Sequence, residues 1–132
     1  MHSTKVWIRI LLFVAWAAGL QSAWAAPGDQ DTSFGDDGWV ITDLGGDETG
    51  TAVAVQPSGR IILAGTRDSV NEDFALVGYF ENGTLDQSFG DQGSVAIDFR
   101  GKDDSARDVM VLPEGSIVVA GTAFTDTNQD FA

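Results

Sequence analysis

A heptapeptide phrase occurs twice in this chain of 132 residues, and its repetition restricts the fold more than any other feature. TSFGDDG at 32–38 returns as QSFGDQG at 87–93, an offset of 55 residues. VAVQPSGRIILAGT at 53–66 matches VMVLPEGSIVVAGT at 109–122 at an offset of 56, and DFA at 73–75 matches DFA at 130–132 at 57. Self-similarity with a period of about 20–50 residues, or slightly more, is typical of solenoids and propellers.

Each unit carries the signals of four short β-strands joined by tight turns. Thr51 to Gln56 alternates small alanines with larger valines, which is the period-2 pattern of a strand. Pro57-Ser58-Gly59 then favours a turn, because proline presets φ and glycine accepts a positive φ. In the first unit we predict strands at 38–42, 51–56, 61–65 and 74–80.

The last two of these strands are apolar on both faces, so we expect each to be covered on both sides. Four strands per unit, with the central strands between two layers, are what a propeller blade requires. We therefore predict an all-β fold of β-propeller-type four-stranded repeat units, about two blades with the second truncated. A small β-sandwich is the alternative. In a propeller, Phe34 and Phe89 of the repeated phrase would anchor the crossing between blades.

The same residues resemble a known family. The run D-x-S-F-G-x-x-G is followed by a V-x-x-D strand, a loop of glycines and acids, A-V-x-P-x-G-x-I-x-x-A-G-T and D-F-A-L-V. In this combination they resemble the delta-60 repeat, a bacterial repeat associated with β-propellers in exported proteins. The resemblance covers one full copy and most of a second, and it implies a secreted or surface propeller. It implies no catalytic residue, because the matched positions are glycine, phenylalanine, valine and turn residues.

The first 25 residues have the pattern of a signal peptide. Lys5 and Arg9 precede an apolar run of eleven residues from Ile10 to Leu20, and Ala23-Trp24-Ala25 offers the small residues of a cleavage site. An uncleaved anchor is the alternative, although a helix needs about 20 apolar residues to span a bilayer. We therefore divide the chain into a signal peptide at 1–25, a first blade-like repeat at 26–85 and a second, incomplete repeat at 86–132, and we expect a secreted, periplasmic or cell-surface location.

Charge and composition after residue 25 exclude several classes of function. Five basic and twenty acidic residues remain, a net charge of −15, which disfavours nucleic acid and anionic membranes as partners. The chain has no cysteine, and its one histidine, His2, lies in the signal peptide. Most nucleophile–base pairs and zinc sites therefore cannot be formed by the exported chain.

Two acidic loops have oxygen ligands at alternate positions, as a Ca²⁺ loop requires: Asp29 to Ser33 and Asp126 to Asp130. Both lack the glycine and the terminal acid of an EF-hand loop, so we expect solvated acids, with Ca²⁺ binding as the alternative. The adjacent pairs Asp36-Asp37 and Asp103-Asp104 could form an acid–base site, but neighbouring carboxylates usually point apart. We assign no catalytic, cofactor-binding or metal-ligating residue.

These observations predict an exported, non-catalytic repeat protein that serves as a binding or structural module. Its partner would be an extracellular protein or glycan. The alternatives are a carboxylate-dependent enzyme acting on extracellular glycans, which needs two carboxylates about 5 to 9 Å apart, and a Ca²⁺-dependent adhesion module.

The second repeat stops at the residues equivalent to Asp73-Phe74-Ala75, and fewer than two repeats cannot close a ring of about four to eight blades. We therefore expect either a fragment of a longer array or a propeller completed by self-association.

The cleavage site gives a direct test of export. N-terminal sequencing of protein recovered from the extracytoplasmic fraction should begin at Ala26, because Ala23 and Ala25 occupy the positions that signal peptidase reads. Recovery of chains that begin at Met1 in the membrane fraction would instead indicate the uncleaved anchor.

Overall fold

A computed structural model describes residues 26–132, and all of the regular secondary structure in that range is β. The predicted signal peptide lies outside the described residues. The strands are β1 Asp47–Val55, β2 Ile61–Asp68, β3 Glu72–Tyr79, β4 Ser94–Ile97, β5 Asp104–Val111, β6 Ile117–Phe124 and β7 Gln129–Phe131. From residue 26 onward, no helix is long and apolar enough to cross a membrane.

The strands form two antiparallel sheets. The first has the order β1-β2-β3-β4, and the second has the order β5-β6-β7. β5 packs across β1, β2 and β3, so the second sheet lies against the first. The predicted all-β class is therefore confirmed, with sheets of four and three strands.

The sequence repeat and the sheet are out of phase. β4 belongs to the second repeat, yet it completes the first sheet by pairing with β3, from Phe74 opposite Ile97 to Val77 opposite Ser94. The strand predicted at 38–42 is wrong: this segment forms only a single bridge, between Gly35 and Trp39. Its counterpart is β4, which is a strand because a preceding β3 offers it a free edge. The described chain provides no such edge for residues 38–42.

Both repeats contain the same β-bulge. The register of β1 on β2 shifts between Gly50 and Ala52, and that of β5 on β6 shifts between Ala106 and Asp108. The bulged strand brings a backbone carbonyl close to the glycine of the A-G-T motif opposite. A Cβ at Gly65 would lie 2.0 Å from the oxygen of Thr49, and one at Gly121 would lie 2.2 Å from that of Ser105. This close approach explains why the motif contains glycine.

The core lies between the two sheets. Side chains alternate across a strand, so each sheet has two faces. We call the face of the first sheet that carries Ala54, Ile62, Ala64 and Leu76 its forward face. The face of the second sheet that packs on it carries Val109, Ile117 and Val119, and we call this the rear face. Ile62 and Ala64 are fully buried in this contact.

Polar side chains fix how the two sheets are aligned. Thr51, the extra residue of the first bulge, donates its hydroxyl to the carbonyl of Ala106 at 2.9 Å. The side-chain amide of Gln56 donates to the carbonyl of Gly115 at 2.7 Å, and the hydroxyls of Thr66 and Ser105 lie 3.0 Å apart. These bonds are distributed along the interface and therefore oppose sliding of one sheet on the other.

The bulge makes a prediction about stability. Gly65→Ala should reduce the free energy of unfolding by about 3 kcal/mol, because the new methyl group meets a backbone oxygen that cannot move without breaking the bulge. Gly50→Ala is the matched control: its Cβ would be 3.2 Å from a terminal methyl of Leu63, which can rotate away. Urea unfolding would measure both, and equal losses would contradict the proposed role of the bulge.

Candidate functional site

The repeated phrase forms a tight turn where the chain passes from the first sheet's β3 to β4. Asp86 is 1% exposed and accepts two hydrogen bonds at Oδ1, from the backbone N–H of Ser88 at 2.9 Å and from its hydroxyl at 2.6 Å. Its other oxygen forms an ion pair with Arg60, which precedes β2. The backbone N–H of Asp86 also donates to the carbonyl of Gly78 at 2.9 Å. The turn is thereby joined to two strands of the first sheet.

Phe89 lies over this turn and contributes to the core. Its ring packs on Gly78, where a Cβ would approach the ring to 2.6 Å, so a side chain at position 78 would displace it. The guanidinium of Arg60 lies 5.9 Å from the ring centroid, within the range of a cation–π contact. Phe89 also packs, partly buried, against the cluster between the sheets. Phe89 therefore anchors a turn within the first sheet, between β3 and β4, whereas the sequence predicted an anchor for the crossing between blades.

Hydrogen bonding lowers the pKa of Asp86. The largest cause is the hydroxyl of Ser88, which outweighs the opposing effect of burial; the backbone N–H of Ser88 and the charge of Arg60 act in the same direction as the hydroxyl. Asp31 forms the same turn in the first repeat and also has a lowered pKa, through the hydroxyl and N–H of Ser33. Asp31 differs in being exposed. The turn is therefore a local property of the phrase, while its burial depends on the strands around it.

The acidic loops considered as Ca²⁺ sites do not gather their carboxylates. Asp29 accepts the N–H of Ala26 at 2.9 Å, and Asp31 bonds within its own turn. Asp126 lies 3.5 Å from the ammonium of Lys102, and Asp130 is exposed. Neither loop brings three acids together, and within residues 26–132 one group of acids that could hold a metal ion is found elsewhere.

The adjacent acidic pairs behave differently from each other. Asp36 and Asp37 are both exposed, in keeping with solvated acids. Asp103 is exposed and accepts the N–H of Glu72 at 3.3 Å, whereas Asp104 begins β5 and is 1% exposed. The expectation that the acids of these pairs stay in solvent is therefore wrong for Asp104; Asp73 and Asp86 are buried as well. Each of these is buried because backbone or side-chain donors replace its water.

Asp73, Asp98 and Asp104 form the group of acids missed by the sequence analysis. One carboxylate oxygen of each lies within 4.8 Å of those of the other two. Asp73 is in β3, Asp98 directly follows β4 and Asp104 begins β5, so the group lies where the first sheet meets the second. Asp73 precedes Asp98 and Asp104 by 25 and 31 positions, so the three acids form no local motif, and the pairing of β4 with β3 is what brings them together.

Two apolar surfaces are left open on this pair of sheets. The forward face of the second sheet exposes Met110, Val118, Phe124 and Phe131. The rear face of the first sheet exposes Val53 and Val55 to 63% and 61%. Part of this rear face is covered by residues 40–44, since Thr42 bonds the hydroxyl of the buried Tyr79 at 2.7 Å. The open forward face of the second sheet is equivalent to the forward face of the first sheet, which is packed in the core. The open rear face of the first sheet is equivalent to the packed rear face of the second sheet.

Comparison with known protein families gave one match. Residues 56–89 match a domain of unknown function, DUF5122, that is described as a beta-propeller. The matched segment includes β2, β3 and the turn formed by the repeated phrase. Comparisons with curated proteins and with solved structures gave no match. With two antiparallel sheets packed face to face, the match confirms the predicted fold class, a partial β-propeller.

The buried turn predicts a particular dependence of stability on pH. The lowered pKa means that ionised Asp86 stabilises the fold above about pH 4, the ordinary value for aspartate, and that this contribution is lost as pH falls through the folded-state pKa. Asp86→Asn should therefore melt several degrees below the unsubstituted protein at pH 7, and the difference should shrink toward pH 3. Thermal melts followed by circular dichroism would measure it.

Asp31→Asn is the matched control for this experiment, because Asp31 forms the same hydrogen-bonded turn but is exposed and, within residues 26–132, has no ion pair equivalent to that with Arg60. Its effect at pH 7 should be clearly smaller than that of Asp86→Asn. If the deficit of Asp86→Asn is as large at pH 3 as at pH 7, the charge of Asp86 is not what stabilises the turn.

Proposed function

We propose that the protein is an exported, non-catalytic propeller module of the delta-60 type that works by docking blade faces onto further blades. The observation that carries the proposal is the open forward face of the second sheet. Export rests on the N-terminal sequence, and the family match to a beta-propeller supports a binding or structural role. A second copy of this chain is the partner whose surface best fits.

The internal interface provides the template for this docking. Ile62 and Ala64 of the first forward face are fully buried against the second sheet. Their equivalents at an offset of 56 are Val118 and Ala120, which are exposed. A rear face like the one that covers Ile62 would cover Val118 in the same way. Apolar patches of this kind mark sites of association.

An unpaired hydroxyl lies at the corresponding place on the open face. Thr66 pairs its hydroxyl with that of Ser105 across the internal interface. Thr122 is the equivalent of Thr66, and its Oγ1 is buried without a hydrogen-bond partner. Thr49 is the equivalent of Ser105 and is exposed. A second copy docked like the internal pair would bring its Thr49 to Thr122, which would remove the cost of that unsatisfied group.

Docking of this kind is head to tail, because the forward face of one chain contacts the rear face of another chain and not that chain's forward face. Heterologous contacts produce rings when the rotation closes. Since propellers have about four to eight blades, a ring would need about two to four copies with two blades each. Residues 40–44 would have to leave part of the rear face as the second copy arrives, so the contact is expected to be weaker than the internal one.

Light scattering coupled to gel filtration tests this proposal with the full chain. The average mass of the protein should rise over about a hundredfold range of concentration as association proceeds by mass action. Val118→Glu should leave the thermal midpoint nearly unchanged, because the side chain is 41% exposed, but should hold the protein as a monomer.

Val70→Glu is the control, since Val70 lies in the loop between β2 and β3 and is 95% exposed. It adds the same charge away from both open faces and should associate like the unsubstituted chain. A monomer at every concentration, or equal effects of the two substitutions, would contradict docking through the forward face.

A further inference from the structure

We propose that Asp73, Asp98 and Asp104 bind a divalent cation, with Ca²⁺ the best match, at the junction of the two sheets. Nothing in the docking proposal requires this site, and it lies away from the loops that the sequence suggested. It is formed by both repeats, Asp73 from the first and the other two from the second.

The geometry suits a calcium ion. Calcium takes oxygen ligands at about 2.3–2.6 Å, so two ligands on opposite sides of the ion are up to about 5 Å apart. The three carboxylate oxygens lie within 4.8 Å of one another, and one ion could therefore contact all of them without a large movement. Magnesium needs bonds of about 2.0–2.1 Å and a near-ideal octahedron, which would require the carboxylates to move closer.

One carboxylate oxygen of the group would gain a partner from a bound cation. Asp104 is 1% exposed, and its Oδ2 accepts the backbone N–H of Phe99 at 2.6 Å. Its Oδ1 is buried and has no hydrogen-bond partner. A buried carboxylate oxygen without a partner is costly, and a bound cation would satisfy it directly. The acids are therefore more than a solvated cluster.

The surrounding charges leave room for a divalent ion. Arg67 lies beside the group, with its Nη2 at 3.3 Å from Oδ2 of Asp73. Its single positive charge offsets only one of the three negative charges of the carboxylates. Asn71 donates to the other oxygen of Asp73 at 2.9 Å and to the carbonyl of Lys102 at 2.8 Å, which holds the two repeats together at this point. A divalent cation would bring the three acids and Arg67 to neutrality.

The loop that carries two of the ligands is formed in the same way in both repeats. Asp98 accepts the N–H of Gly101 at 2.5 Å, as Asp43 accepts that of Gly45 at 2.7 Å. Asp104 accepts the N–H of Phe99, as Glu48 accepts that of Leu44 at 3.2 Å. Within residues 26–132 no equivalent of Asp73 lies beside the first loop, because the site requires a preceding β3.

Calorimetric titration of the chelator-treated full chain with CaCl₂ tests the site. We expect binding of one ion with a Kd of about 10⁻⁴–10⁻³ M, the range of extracellular calcium modules, and weaker binding of MgCl₂. Saturating calcium should also raise the thermal midpoint, since the ion binds only the folded site. Absence of both heat and a shift in the unsubstituted chain would overturn the proposal.

Asp98→Asn is the decisive variant because Asp98 is exposed, so the protein should fold without it. It should weaken calcium binding about tenfold or more while the midpoint in chelator stays unchanged. Asp91→Asn removes an exposed acid outside the group and should bind like the unsubstituted chain. Equal calcium affinities of Asp98→Asn and Asp91→Asn would indicate only a general attraction of the ion to an acidic protein. Loss of calcium binding in Asp126→Asn, with binding kept in Asp98→Asn, would place the ion in the loop at 126–130. Either result would overturn the assignment.

Discussion

The contact between the forward face of one sheet and the rear face of the next is the interaction on which this structure depends. It buries Ile62, Ala64, Leu76 and Val109 together, whereas residues 40–44 cover only part of the rear face of the first sheet and the forward face of the second sheet is open. Alanines at positions 52, 54 and 64 allow the sheets to approach closely, while the larger valines and isoleucine of the second sheet fill the space between them. Separation of the two sheets would expose these apolar side chains to water, so the contact stabilises both sheets.

The chain strengthens this contact by crossing it. β4 belongs to the second repeat but is a strand of the first sheet, and the turn before it is joined to the first sheet through Asp86, Arg60 and Gly78. Separating the sheets would therefore expose the apolar cluster and pull on the loop between β4 and β5, which carries Asp98. The two sheets should consequently unfold as one cooperative unit, although the sequence divides into two repeats.

The sequence predicted what depends on local pattern and missed what depends on the pairing of distant segments. The alternation at 51–56, the turn at 57–59 and the apolar runs at 61–65 and 74–80 correspond to β1, β2 and β3. The predicted strand at 38–42 fails because a strand needs a partner, and its counterpart β4 finds that partner in the other repeat.

The same reason explains the buried acids. Aspartate is common in turns, and composition alone predicts that it stays in water. Asp86 is buried because Arg60, 26 positions earlier, lies beside it, and Asp104 is buried because the loop after β4 donates an N–H to it. A search for acids at equivalent positions of consecutive repeats, rather than within one loop, could have found Asp98 and Asp104 with Asp43 and Glu48 as their counterparts.

The offset between repeat and sheet has a consequence for how genes of this kind gain or lose units. Recombination between two copies of the phrase at 32–38 and 87–93 would insert or delete one repeat length. Because the second repeat donates β4 to the sheet before it, an inserted copy of that repeat would complete the preceding sheet, and its own sheet would be completed by the next repeat. Unit number can therefore change inside an array without creating an unpaired strand there, wherever within the repeat the exchange occurs.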